Sequence, residues 1–350
     1  MRIEQLTFTR FIAAILIVIF HYGRETFFFT NSHISFIFKQ ANVGVSYFFV
    51  LSGFVMIIAY KNKKAIPFLK FLKNRLARIY PVYLMAIILV LIFKVYNAFS
   101  IVDLPLNLFM IQAWFHDKAL SINTPGWSLS VEFFFYLLFP FLMNRYYTKI
   151  HLKTLAFWII SFWIISQIVY HLLVFKSIEI PFFVKKDISY HPVMHLNAFL
   201  VGNLAGLFFI KNRDKLKSNY RLVIILLLFI LVLLLKFSFG LNYHNGLLSL
   251  IFAPLIILMS LNNDKITQIL SHRLFVFLGE ISYGIYILQF PIWALLNNYR
   301  MRTYFKVNPE EDYLLTFTIR LFILIIIAGF SYVLFEKPLR AKIKNLRFIN

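Results

Sequence analysis

The chain has 350 residues, 61% of them hydrophobic and 19% aromatic, and only 14% are charged where ordinary soluble domains carry about 25%. A soluble fold has nowhere to put that apolar surface. Lys and Arg number 36 against 14 Asp and Glu, for a formal charge of +22. The basic residues fall in short runs between apolar stretches, which speaks for membrane loops and against nucleic-acid binding. With no cysteine, disulfides, thiolate metal sites and Cys nucleophiles are excluded.

The first apolar stretch, Phe11 to Phe20, runs into His21-Tyr22-Gly23-Arg24 without a small-residue cleavage pattern. It reads as a retained first span and not as a removed signal. A bilayer-spanning helix needs roughly 20 apolar residues, and that template fits ten times: near 6–22, 43–60, 79–96, 127–146, 154–175, 193–210, 222–238, 245–261, 274–296 and 314–335. A shorter run, Leu104 to Phe115, contains Pro105 and is read as re-entrant or interfacial, inside the longest connection, 97–126. The expected fold is an all-α polytopic membrane bundle, one domain over 1–350 without internal repeat.

With the N-terminus placed inside, 23 Lys and Arg fall in inside segments, 10 in outside segments and three within spans: Arg10, Lys94 and Arg320. The asymmetry predicts both termini in the cytoplasm and the 97–126 connection outside.

Several polar residues need a reason. His21 follows Arg10 by eleven residues, about 20° past three full turns, so the two share a face about 16 Å apart along the axis. An ionisable residue within a span is a functional candidate, against the plainer reading of a snorkelling Arg and a capping His. In Lys70-Phe-Leu-Lys73-Asn-Arg75-Leu-Ala-Arg78, Arg75 and Arg78 stand side by side at i, i+3. Two guanidinium forks suit a multiply charged phosphate, although positive-inside anchoring also makes basic loops. In Asn123-Thr-Pro-Gly-Trp127-Ser-Leu-Ser-Val-Glu132, a Pro-Gly turn and an interfacial Trp127 precede a helix that carries Glu132 inward. That depth is one His21 can share, and a base with an orienting carboxylate is what acyl transfer uses. His191 and His195 have no further ligand at metal spacing, so no zinc site is expected. Gly202 and Gly206 form a small-xxx-small pattern read as helix packing.

Taken together, the motifs resemble bacterial acyltransferase family 3, membrane acyltransferases of cell-surface glycans. The resemblance runs in order through Arg10 to His21, Gly44-Val-Ser-Tyr-Phe-Phe-Val-Leu-Ser52-Gly53-Phe54, Arg75-Leu-Ala-Arg78-Ile-Tyr-Pro81 and Trp127-Ser-Leu-Ser-Val-Glu132. It ends in Ile281-Ser282-Tyr283-Gly284-Ile-Tyr286-Ile-Leu288 and Phe335-Glu336-Lys337-Pro338. It implies an acyl-CoA co-substrate, acetyl-CoA first, engaged from the cytoplasm by Arg75 and Arg78, with no permanently bound cofactor. It also implies that Arg10 lines the donor's path, that His21 is the essential catalytic residue and that Glu132 is a further functional position. Trp127, Ser128, Tyr283, Gln289 and His195 are candidates for acceptor-side or structural roles.

Two positions depart from the pattern. Gln289 stands where many members carry His and cannot titrate, and His195 stands nearest to where members show Arg. No hydrolase-like domain of the kind some members carry is expected. The expected function is O-acyl transfer to a hydroxyl of a cell-surface or lipid-linked glycan at a bacterial inner membrane. The alternatives are succinyl or other acyl transfer, transfer to an amine, and a transporter or flippase of a lipid-linked sugar.

Overall fold

The computed structural model describes residues 3–93, 100–175, 184–214, 216 and 219–346. The N-terminal Arg2, Lys94 in the third expected span and part of the 97–126 connection lie outside the described residues. Among the described residues the chain is helical, without a strand, as its apolar runs require when every backbone polar group in lipid must be satisfied internally.

The ten expected spans appear as ten helices. These are α1 (Gln5–Tyr22), α2 (Val43–Tyr60), α3 (Phe68–Ile92), α4 (Trp127–Leu142), α5 (Leu152–Val174), α6 (Pro192–Asn212), α7 (Arg221–Lys236), α8 (Ser249–Leu261), α9 (Arg273–Leu295) and α10 (Tyr313–Ser331). Among the described residues eight stretches are long and apolar enough to cross a membrane, and the expectation of ten full spans is corrected at α7 and α8. These have 16 and 13 residues, and 13 residues rise only about 20 Å. In front of α8 the chain runs through the bundle without helix, turning at Gly246 with φ +88. Neighbouring side chains hold its carbonyls: Ser46 Oγ donates to His244 O at 2.9 Å, Asn197 Nδ2 to Asn245 O at 3.0 Å and Trp163 Nε1 to Gly246 O at 3.1 Å. Irregular backbone at membrane depth is tolerated where protein covers it in this way.

Two helix ends also differ from expectation. The third helix starts eleven residues earlier than its apolar stretch, so Arg75 and Arg78 lie on helix, and it carries Pro81 internally. After α4 and after α10 the chain passes through a π turn, Met143–Tyr147 and Tyr332–Glu336. Pro140 precedes the first turn and Pro338 follows the second. A proline ring crowds the carbonyl four residues before it, here that of Leu334 inside the second turn, and a widened turn relieves that contact. The second turn leads directly into α11 (Lys337–Asn345).

The segment expected to be re-entrant contains a helix of six residues, Asp103–Leu108, and two 3₁₀ turns. It is tied into the bundle by buried amides: Asn107 Nδ2 donates to Ser121 Oγ at 2.8 Å, Gln112 Nε2 to Gly126 O at 2.8 Å and Asn123 Nδ2 to Ile287 O at 3.1 Å.

Helices α2 and α6 form the most extensive pair, and small residues allow it. A Cβ on Gly202 would stand 2.0 Å from the Val50 carbonyl oxygen, so the Gly202 and Gly206 stripe is a packing seam, as its spacing predicts. Helix α1 packs on α9 in the same manner, with Gly279 against the Thr7 carbonyl. Outward-facing Phe157, Trp158, Phe229, Phe322 and Phe330 are exposed, as side chains facing lipid should be.

Gly202→Ala must push α2 and α6 apart and is expected to cost about 1–3 kcal/mol, the usual range for overpacking. Gly329→Ala, whose Cβ would meet nothing closer than 3.8 Å, should leave stability unchanged or raised. Thermal unfolding of the two purified variants in detergent measures the difference.

Candidate active site

Helices α1, α2, α3, α4 and α9, with the second π turn and α11, enclose a cavity of about 380 Å³. Four arginines line it: Arg10 from α1, Arg75 and Arg78 from α3 and Arg340 from α11. Among the described residues, none of the four guanidinium groups forms an ion pair or donates a hydrogen bond. Arg75 is held by rings instead, its guanidinium carbon 5.4 Å from the Tyr60 centroid, 5.3 Å from Phe71 and 6.0 Å from Tyr136, with Nε buried and unpartnered. Cation–π contact fixes the fork while leaving its planar N–H groups unused.

Glu132, Glu280 and Glu336 share the cavity. Glu132 accepts from Tyr136 Oη at 2.6 Å and from Ser52 Oγ at 3.3 Å, and it lies within electrostatic reach of Arg10. Spacing explains the first contact, since residues at i and i+4 face each other on a helix. Glu336 sits in the second π turn, nearly fully buried, with Arg78, Arg10 and Arg340 around it. Buried polar groups are normally paired. The four guanidinium groups outnumber the three carboxyls of the cavity, and among the described residues none of their N–H groups is used, an arrangement that suits an anionic ligand.

His21 stands apart. It ends α1, eleven residues from Arg10, is exposed, and packs edge-to-face against Phe20 at 5.2 Å. It does not line the arginine cavity, and among the described residues no hydrogen bond joins it to Glu132. The structure thus puts Glu132 with Arg10, Ser52 and Tyr136, whereas the sequence suggested an imidazole partner. The arithmetic along α1 placed His21 at the end of the helix away from Arg10, but it held no information on which way α4 faces or at what level its carboxyl meets α1.

Near His21 lies His244, in the non-helical stretch before α8 and within electrostatic reach of it. His244 belongs to an aromatic cluster centred on Trp127, whose ring lies 4.9 Å from Tyr190, 5.1 Å from His195 and 5.3 Å from His244. His195 is fully buried, donates from Nε2 to Ser189 O at 2.9 Å and leaves Nδ1 without a partner.

The other expected residues divide between cavity and scaffold. Ser128 and Tyr283 line the cavity, where Ser128 Oγ donates to Pro125 O at 3.0 Å and Tyr283 Oη to Ile79 O at 2.6 Å. Gln289 is fully buried, outside the cavity lining, with Nε2 donating to Tyr286 O at 2.7 Å. Sequence reasoning did not single out Ser52, Tyr136, Glu280, Arg340 or His244, nor give Glu336 a role. The i, i+4 spacings of Glu132 with Tyr136 and of Glu336 with Arg340 were the available signal.

Comparison with known proteins finds likeness over almost the whole chain. A family model described as an acyltransferase domain matches residues 3–336. The acyltransferase MdmB of Streptomyces mycarofaciens is 33% identical over 169 residues, covering 44% of this chain and 42% of that protein. The O-acetyltransferase OatA of Staphylococcus aureus (strain NCTC 8325 / PS 47) is 26% identical over 351 residues, covering 86% of this chain and 53% of that protein. The chain spans about half the length of the curated relatives it matches. No solved structure matches it.

Tyr136→Phe removes the shorter of the two hydrogen bonds to the half-buried Glu132 carboxyl. A bond of this kind is worth about 1.5–3 kcal/mol, and the variant should unfold at a correspondingly lower temperature than the parent when both are melted in the same detergent.

Proposed function

The chain belongs to the acyltransferase domain family, and from that membership we propose that it transfers an acyl group, acetyl first, from cytoplasmic acyl-CoA to a hydroxyl of a cell-surface or lipid-linked glycan. The observation that carries the proposal is the set of four arginines on one cavity, none of them ion-paired among the described residues, with His21 eleven residues from Arg10 at the far end of α1. OatA, similar over 86% of this chain, is by name an O-acetyltransferase, and that supports an oxygen acceptor.

In this reading the cavity is the donor site. Arg75 and Arg78 hold phosphate oxygens of coenzyme A, and the pantetheine arm passes Arg10 toward His21. The basic asymmetry of the loops puts Arg75 and Arg78 at the cytoplasmic face and His21 at the outer face of a bacterial inner membrane, with both termini cytoplasmic. The acyl group crosses most of the bilayer on its arm while the nucleotide stays at the inner mouth.

His21 serves as base or as acyl carrier. As base it takes the proton of the acceptor hydroxyl while that oxygen attacks the thioester carbonyl carbon. The C–S bond then breaks and the CoA sulfur leaves with the electron pair and takes up a proton. As carrier, an imidazole nitrogen attacks first and the acceptor oxygen displaces it. Glu132, fixed by Tyr136 and Ser52, balances the charge of Arg10 along the path and is a positioning residue for the donor.

His21→Gln, which folds but cannot titrate, should lower transfer by about 10²–10⁴-fold, read as base-labile label passing from radiolabelled acetyl-CoA to membrane glycan. A wild-type rate in that variant would remove the assignment. Replacing Arg75 and Arg78 together by Ala should raise the dissociation constant for coenzyme A at least about tenfold, since each charge-assisted contact is worth about 1.5–3 kcal/mol. Calorimetric titration of the detergent-solubilised protein reads it, and an unchanged affinity would reduce the pair to topology anchors.

A further inference from the structure

The C-terminal helix α11 is not a loose tail. It lies against α3, and Lys73 Nζ, near the start of α3, donates to Lys344 O at 3.2 Å and to Leu346 O at 2.7 Å. These are carbonyls at a helix C-terminus, which lack intrahelical donors and attract a cation. The clasp fixes the face of α11 that carries Arg340 and, one turn further on, Lys344. Arg340 lines the arginine cavity, and Lys344 is exposed beyond it, within electrostatic reach of Arg75, Arg78 and Arg340. Arg340 in turn lies within reach of both Arg75 and Arg78.

The cations are neighbours in succession: Arg10 with Arg78, Arg75 and Arg78 with Arg340, and Arg340 with the exposed Lys344. Glu132, Glu280 and Glu336 share the cavity with them, and five cations against three carboxyls leave an excess of like charge that a bound anion offsets. Two of these groups suit a diphosphate, and the outer two have no function in that contact. Coenzyme A carries a further phosphate, on the 3′ oxygen of its ribose, at the end of the molecule away from the thioester. With the thioester directed toward Arg10 and His21, that group is the outermost.

We propose that α11 completes the donor site, with Arg340 and Lys344 taking the 3′-phosphate of coenzyme A. The chain thereby selects free CoA thioesters over acyl groups carried on protein-bound phosphopantetheine, which lacks that phosphate. The inference rests on the donor reading of the cavity and adds to it a residue pair and a donor class. It also gives the C-terminal helix a function distinct from anchoring topology.

The test is titration of the full-length protein in detergent with coenzyme A and with dephospho-coenzyme A, which differ only in the 3′-phosphate. The parent should bind coenzyme A at least about tenfold more tightly than the dephospho form. In the double variant Arg340→Gln, Lys344→Gln, coenzyme A should fall to the affinity of the dephospho form, while the dephospho form itself stays within about twofold of its parent value. That second number is the control for folding. Equal binding of the two ligands by the parent, a preference that survives in the variant, or a parallel loss of both ligands would each overturn the proposal and leave the Arg75 and Arg78 assignment standing. A parent that binds neither ligand would overturn the donor reading itself and this inference with it.

Discussion

The constraint on which the structure depends is the cost of holding guanidinium groups inside an apolar bundle without ion pairs. Desolvating a charge is expensive, and here four arginines bear that cost around one cavity. Their support is indirect. Aromatic faces cradle Arg75, a carboxyl bound by Tyr136 and Ser52 stands near Arg10, and Glu336 sits among Arg10, Arg78 and Arg340. The arrangement lowers the cost of each charge while leaving the N–H donors unused, which is what a site needs if an anionic ligand is to complete it.

The scaffold keeps that cavity open by close packing elsewhere. Helix α1 is held on α9 where Gly279 admits the Thr7 carbonyl, and α2 on α6 where Gly202 admits Val50. Both seams bring backbones together, so the helices that carry Arg10 and Ser52 are positioned by contacts that admit no slack. The 100–126 segment closes the other side through buried amides, and Asn123 links it to α9. Gln289 belongs to that scaffold. Its carboxamide caps the Tyr286 carbonyl, which accounts for a residue unable to titrate at this position.

Much of this was legible in the sequence because membrane helices announce themselves by length and apolarity. The positions of all ten helices, the non-spanning character of 104–115 and the packing use of Gly202 and Gly206 follow from patterns along one segment. Arg75 and Arg78 could be paired for the same reason, since i, i+3 is geometry within a single helix. What could not be read depends on how two elements face each other. Glu132 was expected at the depth of His21, but the packing of α4 puts its carboxyl with Ser52, Tyr136 and Arg10, toward the other end of α1. Arg340 looked like any basic residue after a last span, and only the π turn at Tyr332–Glu336 and the Lys73 clasp aim it at the cavity. The short α8 was hidden because apolar residues continue through the non-helical stretch before it.

That stretch has a consequence of its own. In an ordinary span the helix supplies its own hydrogen bonds, so side chains are free to change with the lipid they face. From His244 to Gly246 the carbonyls are served by Ser46, Asn197 and Trp163, drawn from α2, α6 and α5. Those three side chains stand in for backbone amides. Losing one is equivalent to breaking main chain in hydrocarbon, where water cannot repair the vacancy. The backbone that carries His244 past His21 is thus written in three distant parts of the sequence, and a change at any of them would register at the C-terminal end of α1.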